Sequence, residues 1–512
     1  MKRKLFPNSG ARRRAVCLLL AFGGILAAAA DEIRHVMVYE QPGDFAGWPA
    51  NGGFWSWGNE LLVCYDLGAH KPREGNHAFD PDVPMRCVFS RSLDGGETWA
   101  MEEHANVPLP TAISDGDYIP KPDSIDFTGD GFAMKFRDAV MWLSDNRGRS
   151  WTGPLRTSNQ KDFVLLNRTN YIVTGGSSAM VFMTVREKLK EGQVRNRHRS
   201  WAWRTRDAGK TFGRIALLGE AEKFDEVSPE YDAYSIMPSA LRLGEGHYIC
   251  AVRELIRTDK WIRIYESTDS CQTWTVLADI AQGAHNPAAL AALADGRVVA
   301  VYGSRENSPR GIFARTSGDG GRTWGAGLAL RSDAASWDFG YPVATVRPDG
   351  VVVAIYYMST AETPHQHIAA TLWKPAYAKP EIHGIEPSIV TPGTTVVITG
   401  KNLHYVTSVR FAGAEAVVLE SAGTGGQVTV LAPDSLPTQG GEVRVVAAGG
   451  EAGGARFTLA PSLRPDDNAG NKVSRKPAAK GGGAPAGIWF FALMMLLCAR
   501  LLKRNPGLEK TA

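Results

Sequence analysis

Charge is scarce in this 512-residue sequence, where Asp, Glu, Lys and Arg make up 21%. Long stretches with a helical period are few, so a helical bundle is excluded. Cysteine is limited to six. Cys17 and Cys498 lie in terminal apolar runs, leaving Cys64, Cys87, Cys250 and Cys271, none with metal-ligand spacing. No calcium-loop pattern stands in the chain, and no metal or cofactor is expected. The net charge of +4 comes from the two ends: residues 31–460 hold 42 bases against 50 acids. Such an acidic body lacks the basic face a nucleic acid would need. What is plentiful is 55 Gly, 29 Pro and 14 Trp, the composition of an all-β, turn-rich chain.

One short pattern recurs. SGDGGRTW (Ser317–Trp324) has four near-copies: SLDGGETW (Ser92–Trp99), SDNRGRSW (Ser144–Trp151), TRDAGKTF (Thr205–Phe212) and STDSCQTW (Ser267–Trp274). Their third residues, Asp94, Asn146, Asp207, Asp269 and Asp319, are spaced by 52, 61, 62 and 50 residues. Repetition at such a period marks an array of like units. The acidic side chain is expected to accept from a backbone N–H two residues on, and the glycine to supply a left-handed dihedral. Each copy therefore reads as a structural hairpin turn, and none of the five residues as catalytic. A sixth unit around VVVAIYY (Val351–Tyr357) lacks the pattern, and the strand at 33–39 is expected to complete it.

The ends read differently. Residues 1–30, basic and then apolar up to Ala30, have the form of a signal peptide. Export permits disulfides; four cysteines allow three pairings, and Cys64 with Cys87, on successive strands of one unit, is favoured. Residues 461–486 are a Pro, Ala, Lys and Gly-rich linker with almost no apolar content. Residues 487–504 hold a short apolar run closed by bases, expected to be a transmembrane or sorting segment. The body is thus placed at the cell surface, in the periplasm or outside, anchored or released.

The five boxes resemble those of the sialidase superfamily of six-bladed β-propellers, over residues 31–377. The stretches WPANGGFWSWGNELLV, SIDFTGDGFAMKFR, YSIMPS, YGSR and WDFGYP are similar to its exported bacterial branch. From residue 379 to 460, PEIHGIEPSIVTPG and VVITGKNL resemble a TIG/IPT immunoglobulin-like β-sandwich. The first resemblance implies a glycan substrate with an acidic sugar. Arginines would hold its carboxylate, because the guanidinium fork matches it, and a tyrosine would be the nucleophile. It assigns Tyr341 as that nucleophile, Asp80 (with Asp82 nearby) as acid/base, and Arg253, Arg310 and Arg305 as substrate-binding residues. Two positions depart: Gly47 stands where the first arginine belongs, and Met237 where a glutamate activates the tyrosine. Glu254, Glu230 and Asp338 could replace that base. Asp126 and Arg137 could line a central channel, and Trp48, Trp55 and Trp57 could stack on sugars. The loss of the glutamate also fits a non-catalytic glycan-binding propeller.

Overall fold

The computed structural model describes residues 32–460, apart from 124, 158–162, 167, 188–196, 220–232, 284–285, 306–308 and 422–424. The leader, the linker and the C-terminal apolar run lie outside the described residues, as does Glu230. Among the described residues no helix is long and apolar enough to cross a membrane.

Strands follow one another in antiparallel meanders. The first sheet runs Asp44–Gly47 and Gly53–Trp57, then Glu60–Ala69, Arg86–Ser92 and Ala100–Glu102. A three-stranded sheet (Ala133–Arg137, Val140–Ser144, Thr152–Arg156) comes second. The third and fourth meanders share one nine-stranded sheet through a two-residue parallel pairing of 197–198 with 233–234. The fifth spans Ala289–Ala292 to Leu328–Arg331. In the sixth, Gly340–Val346, Val352–Met358 and His367–Lys374 are joined by the N-terminal strand Glu32–Tyr39, which pairs with His367–Lys374. A strand from the chain's start thus covers an edge that would otherwise offer unpaired N–H and C=O groups.

The apolar strands are explained by the two-residue period of a strand, which sends alternate side chains to opposite faces. Leu61, Val63, Tyr65 and Leu67 pack with the sixth sheet, whereas Leu62 and Cys64 pack with Ala133, Val140 and Trp142 of the second. The same split continues along the chain. Met134 and Phe136 meet Val181 and Met183; Phe182 meets Cys250 and Val252; Ile249 and Ala251 meet Val298 and Ala300; Val299 and Val301 meet Val352 and Ala354. Val353, Ile355 and Tyr357 then return to the first sheet. Every second strand is buried on both faces, so none shows a polar side.

Four of the boxes join the third strand of a meander to its fourth; the second joins the last two strands of the three-stranded sheet, Val140–Ser144 and Thr152–Arg156. Asp94 accepts from the Thr98 N–H at 2.9 Å and from Ser92 and Thr98 hydroxyls at 2.7 and 2.5 Å; Asp319 repeats this with Thr323 and Ser317. The backbone donor lies four residues on, not two, because the carboxylate spans the turn to its far side. Asn146 does the same with its carbonyl, taking the Ser150 N–H at 3.0 Å while its amide donates to the Ser150 hydroxyl. In the fourth box Ser270 and Cys271 sit at φ 59° and 67° where other boxes carry glycine at one or both positions.

Residues 380–459 form two facing sheets around Val396, Ile398, Val428, Val430, Val443 and Phe457, the expected β-sandwich. The Tyr405 hydroxyl accepts from the Ala294 N–H of the fifth sheet at 2.5 Å and its ring meets Tyr377 at 5.5 Å. Cys64 and Cys87 are buried thiols with their sulfurs 2.9 Å apart.

Candidate functional site

In a meander the box turns share one end with the turns between first and second strands. Loops between second and third strands, and links between sheets, share the other. At that second end, segments leading into or lying on the first strands of five meanders line a cavity of about 150 Å³, with Ala50, Arg168, Pro238, Pro287 and Pro342 contributed in turn.

Three of those segments share the same local device. Trp48, Met237 and Tyr341 each precede a proline, and each holds a left-handed backbone, at φ 57°, 58° and 49°. Proline disfavours the right-handed helical region for the residue before it. A non-glycine at positive φ costs on the order of 1–3 kcal/mol and persists where surrounding structure imposes it, commonly at functional sites. At Met237 and Tyr341 the ladder also slips, between Ile236 and Ser239 and between Gly340 and Val343. Such bulges re-aim a side chain. The Tyr341 ring stands edge-on to Tyr357 at 6.1 Å, and its hydroxyl has no hydrogen-bond partner among the described residues.

Three arginines stand at this end with no hydrogen-bonded carboxylate among the described residues: Arg305 beside Tyr341, and Arg168 and Arg253 close enough to feel each other's charge. The Arg305 guanidinium lies 5.9 Å from the Tyr341 ring and 5.1 Å from Trp337, and donates to the Phe339 carbonyl at 2.9 Å. Arg253, opposite Ile236, is 5.9 Å from the Tyr234 ring. The Nε atoms of Arg253 and Arg305 are sealed from solvent with no acceptor, and buried donors are ordinarily satisfied. Arg168, bonded through Nε to Asn51, is pushed down to about 10 by burial and by the charges of Arg137 and Arg253; Tyr341 and Asp138 work against the shift. Arg310 stands half-buried at the far end of the Arg305 loop, directly before the strand Gly311–Ser317.

The carboxylates divide by environment. Asp138, at φ 50° in the turn after Arg137, is raised by burial, against which Arg137 and Arg168 pull. Asp66 is buried and takes both terminal nitrogens of Arg137, at 2.7 and 3.3 Å. Burial would raise Asp338, yet bonds from His77 (2.5 Å), Tyr357 (2.6 Å) and the Ala78 N–H (2.9 Å) hold it below the ordinary carboxylate range.

Asp80, the expected acid/base, is tied into its own loop. Asp80 accepts from the Asp82 N–H and from Lys71, both at 3.1 Å, and these bonds lower it. The carboxylate thus helps to close its own turn. Glu254 is also placed elsewhere: its oxygens take the Tyr265 hydroxyl and the Trp261 indole, both at 2.7 Å. Asp126 closes a turn by accepting from the Thr128 N–H and hydroxyl, close to Gly176. Trp55 stacks on Phe89 within the core, whereas Trp48 faces His77 at 5.0 Å. Sequence reading missed Arg168, Asp138 and His77. The Trp-Pro, Met-Pro and Tyr-Pro steps were the signal that could have marked their level in the fold.

Residues 132–354 match the BNR repeat-like domain and residues 380–459 the IPT/TIG domain. The chain carries a BNR repeat-like domain followed by an IPT/TIG domain. No curated protein matches it. A Dyadobacter fermentans protein of unknown function shares the fold at a TM-score of 0.50 and 19% identity, over 67% of this chain and 98% of that one. A Hadza microbial sialidase is similar at 0.42 and 16%, over 64% and 65%. A Fusarium graminearum GH93 α-L-arabinofuranosidase gives 0.30 and 14%, over 78% and 97%. At 0.42 and 0.30 neither likeness speaks to chemistry.

Proposed function

We propose that this protein is an exported, surface-associated glycosidase that removes a terminal acidic sugar by exo-α-sialidase-type hydrolysis with retention. The six meanders would close as a propeller around the cavity, and the leader-like residues 1–30 support export. The observation carrying the reading is the set Arg168, Arg253 and Arg305, three guanidinium groups with no hydrogen-bonded carboxylate among the described residues, at the same end of the fold as the strained Tyr341. A planar carboxylate on the sugar would satisfy their forks. Tyr341 would attack the anomeric carbon. Asp138, whose burial makes its carboxylate more basic, faces the same Arg168 and would take the phenolic proton in place of the glutamate that Met237 replaces.

The test is release of 4-methylumbelliferone from its α-sialoside by residues 31–460, beside Tyr341→Phe. Turnover that the variant loses by orders of magnitude supports the reading; absence of turnover on this and other acidic glycosides overturns it. A second reading, a non-catalytic glycan-binding propeller, is favoured by Met237 and by the turn role of Asp80. It expects Tyr341→Phe to retain binding on a glycan array.

A further inference from the structure

The loop between the second and third strands of the first sheet carries one group that the reading above leaves unused. His77 Nδ1 lies 2.5 Å from Asp338 Oδ1, a contact 261 residues apart in sequence. Asp338 is nearly sealed, its side chain 3% exposed, while that of His77 is 31% exposed. The other Asp338 oxygen takes the Ala78 N–H, next to His77, at 2.9 Å, so the carboxylate grips both ring and backbone. Trp48 meets the imidazole edge-on at 5.0 Å and Trp337 flanks it at 5.3 Å. Trp337 also carries Arg305, 5.1 Å from its ring, which places His77 and the arginine on one indole.

An ionised carboxylate can only accept, so Nδ1 of His77 carries a proton and Nε2 is left at the open side. This is the arrangement by which a carboxylate fixes the tautomer and aim of a catalytic imidazole. We infer that His77 is the acid/base of this site and Asp338 its positioning residue, an inference that rests on the glycosidase reading. In the first step the glycosidic C–O bond breaks as the Tyr341 oxygen bonds to the anomeric carbon. The imidazolium Nε2–H gives its proton to the leaving oxygen, and the phenolic proton passes to Asp138. In the second step neutral His77 takes a proton from water, whose oxygen displaces Tyr341 from the anomeric carbon, and Asp138 returns its proton to the phenolate. The charged or titratable groups around His77 are Asp338 and Tyr357 beneath it, Arg305 across Trp337, and Lys71, Arg73 and Asp80 on its own loop.

The experiment compares two glycosides of the same acidic sugar, one with a good leaving group (4-nitrophenol) and one with a poor one (an alkyl alcohol). His77→Ala should cost about 10²- to 10⁴-fold on the poor leaving group. Bond cleavage on the 4-nitrophenyl substrate should be little changed, with added azide restoring turnover. Asp338→Asn should show the same split at smaller size. His77→Gln, which keeps a donor toward Asp338, should unfold near the unaltered protein yet retain the split. Equal losses on both substrates with no azide effect would overturn the role of His77 while leaving the glycosidase reading intact. No turnover by the unaltered protein on either substrate would remove both.

Discussion

Asn286, leading into the fifth sheet, and Arg305, in the loop after that sheet's second strand, both donate to the carbonyl of Phe339, each at 2.9 Å. Two residues later stands Tyr341. The space between is filled by contact: a Cβ on Gly340 would lie 2.2 Å from the Asn286 amide nitrogen, and Gly340 holds φ 104°. Only glycine meets both demands. Gly340→Ala should therefore push Asn286 off the carbonyl, lower stability by about 2 kcal/mol or more, and weaken acidic-glycan binding out of proportion. Thermal unfolding and a glycan titration on the same variant check this.

Beneath the arginine cluster, Asp66 is the partner of Arg137, whose guanidinium burial would depress and the carboxylate more than restores. Removing one member of a buried ion pair strands the other and typically costs about 3–5 kcal/mol. Asp66→Ala should fall in that range by denaturant unfolding. The double replacement Asp66→Leu with Arg137→Met should recover much of it.

The repeat was legible because its cause is local. Within eight residues a box holds its acceptor, both its donors and its turn, so five copies could be read and their hairpins placed. The alternation that packs Leu62 against one sheet and Val63 against another was readable only as a continuous apolar run, since both faces are buried. Tyr341, Arg253 and Arg305 are reached through the family resemblance, not through any local pattern. His77 is reached by neither, because its meaning depends on Asp338, which folding alone brings to it. Asp80 is the opposite case: FDPD carries an acid at the place the resemblance points to, and its partners, Lys71 and the Asp82 amide, tie it into the loop.

Asp94 and Asp319 are each held at about 2, Asp94 by bonds from Thr98 and Ser92 that outweigh its burial, Asp319 by bonds from Thr323 and Ser317. A carboxyl whose folded value is depressed contributes stability that is complete above its unfolded value. That contribution is lost as pH falls through the folded one. The box contribution should therefore be intact at pH 5 and fade between about pH 4 and 2. Asn146 shows that an amide can make the same bonds. Asp94→Asn should cost under about 1 kcal/mol at neutral pH and flatten the acid limb of the stability profile, whereas Asp94→Ala should lose the turn at every pH.

Arg168 argues for a trade between stability and binding. Its folded value, pushed down to about 10 chiefly by burial, lies below that of an arginine in water. A base so shifted costs stability at every pH where it is charged in both states, and the cost is relieved only as pH rises past about 10. Arg168→Met removes that cost together with one bond, to Asn51, and should raise stability by about 1–2 kcal/mol at neutral pH. The same change removes one of the three guanidinium groups at this end, so affinity for an acidic glycan should drop at least about tenfold and lose part of its salt dependence. A variant that binds more weakly while melting higher would mean that the buried charge is kept for its ligand. One that melts lower would assign Arg168 to the scaffold.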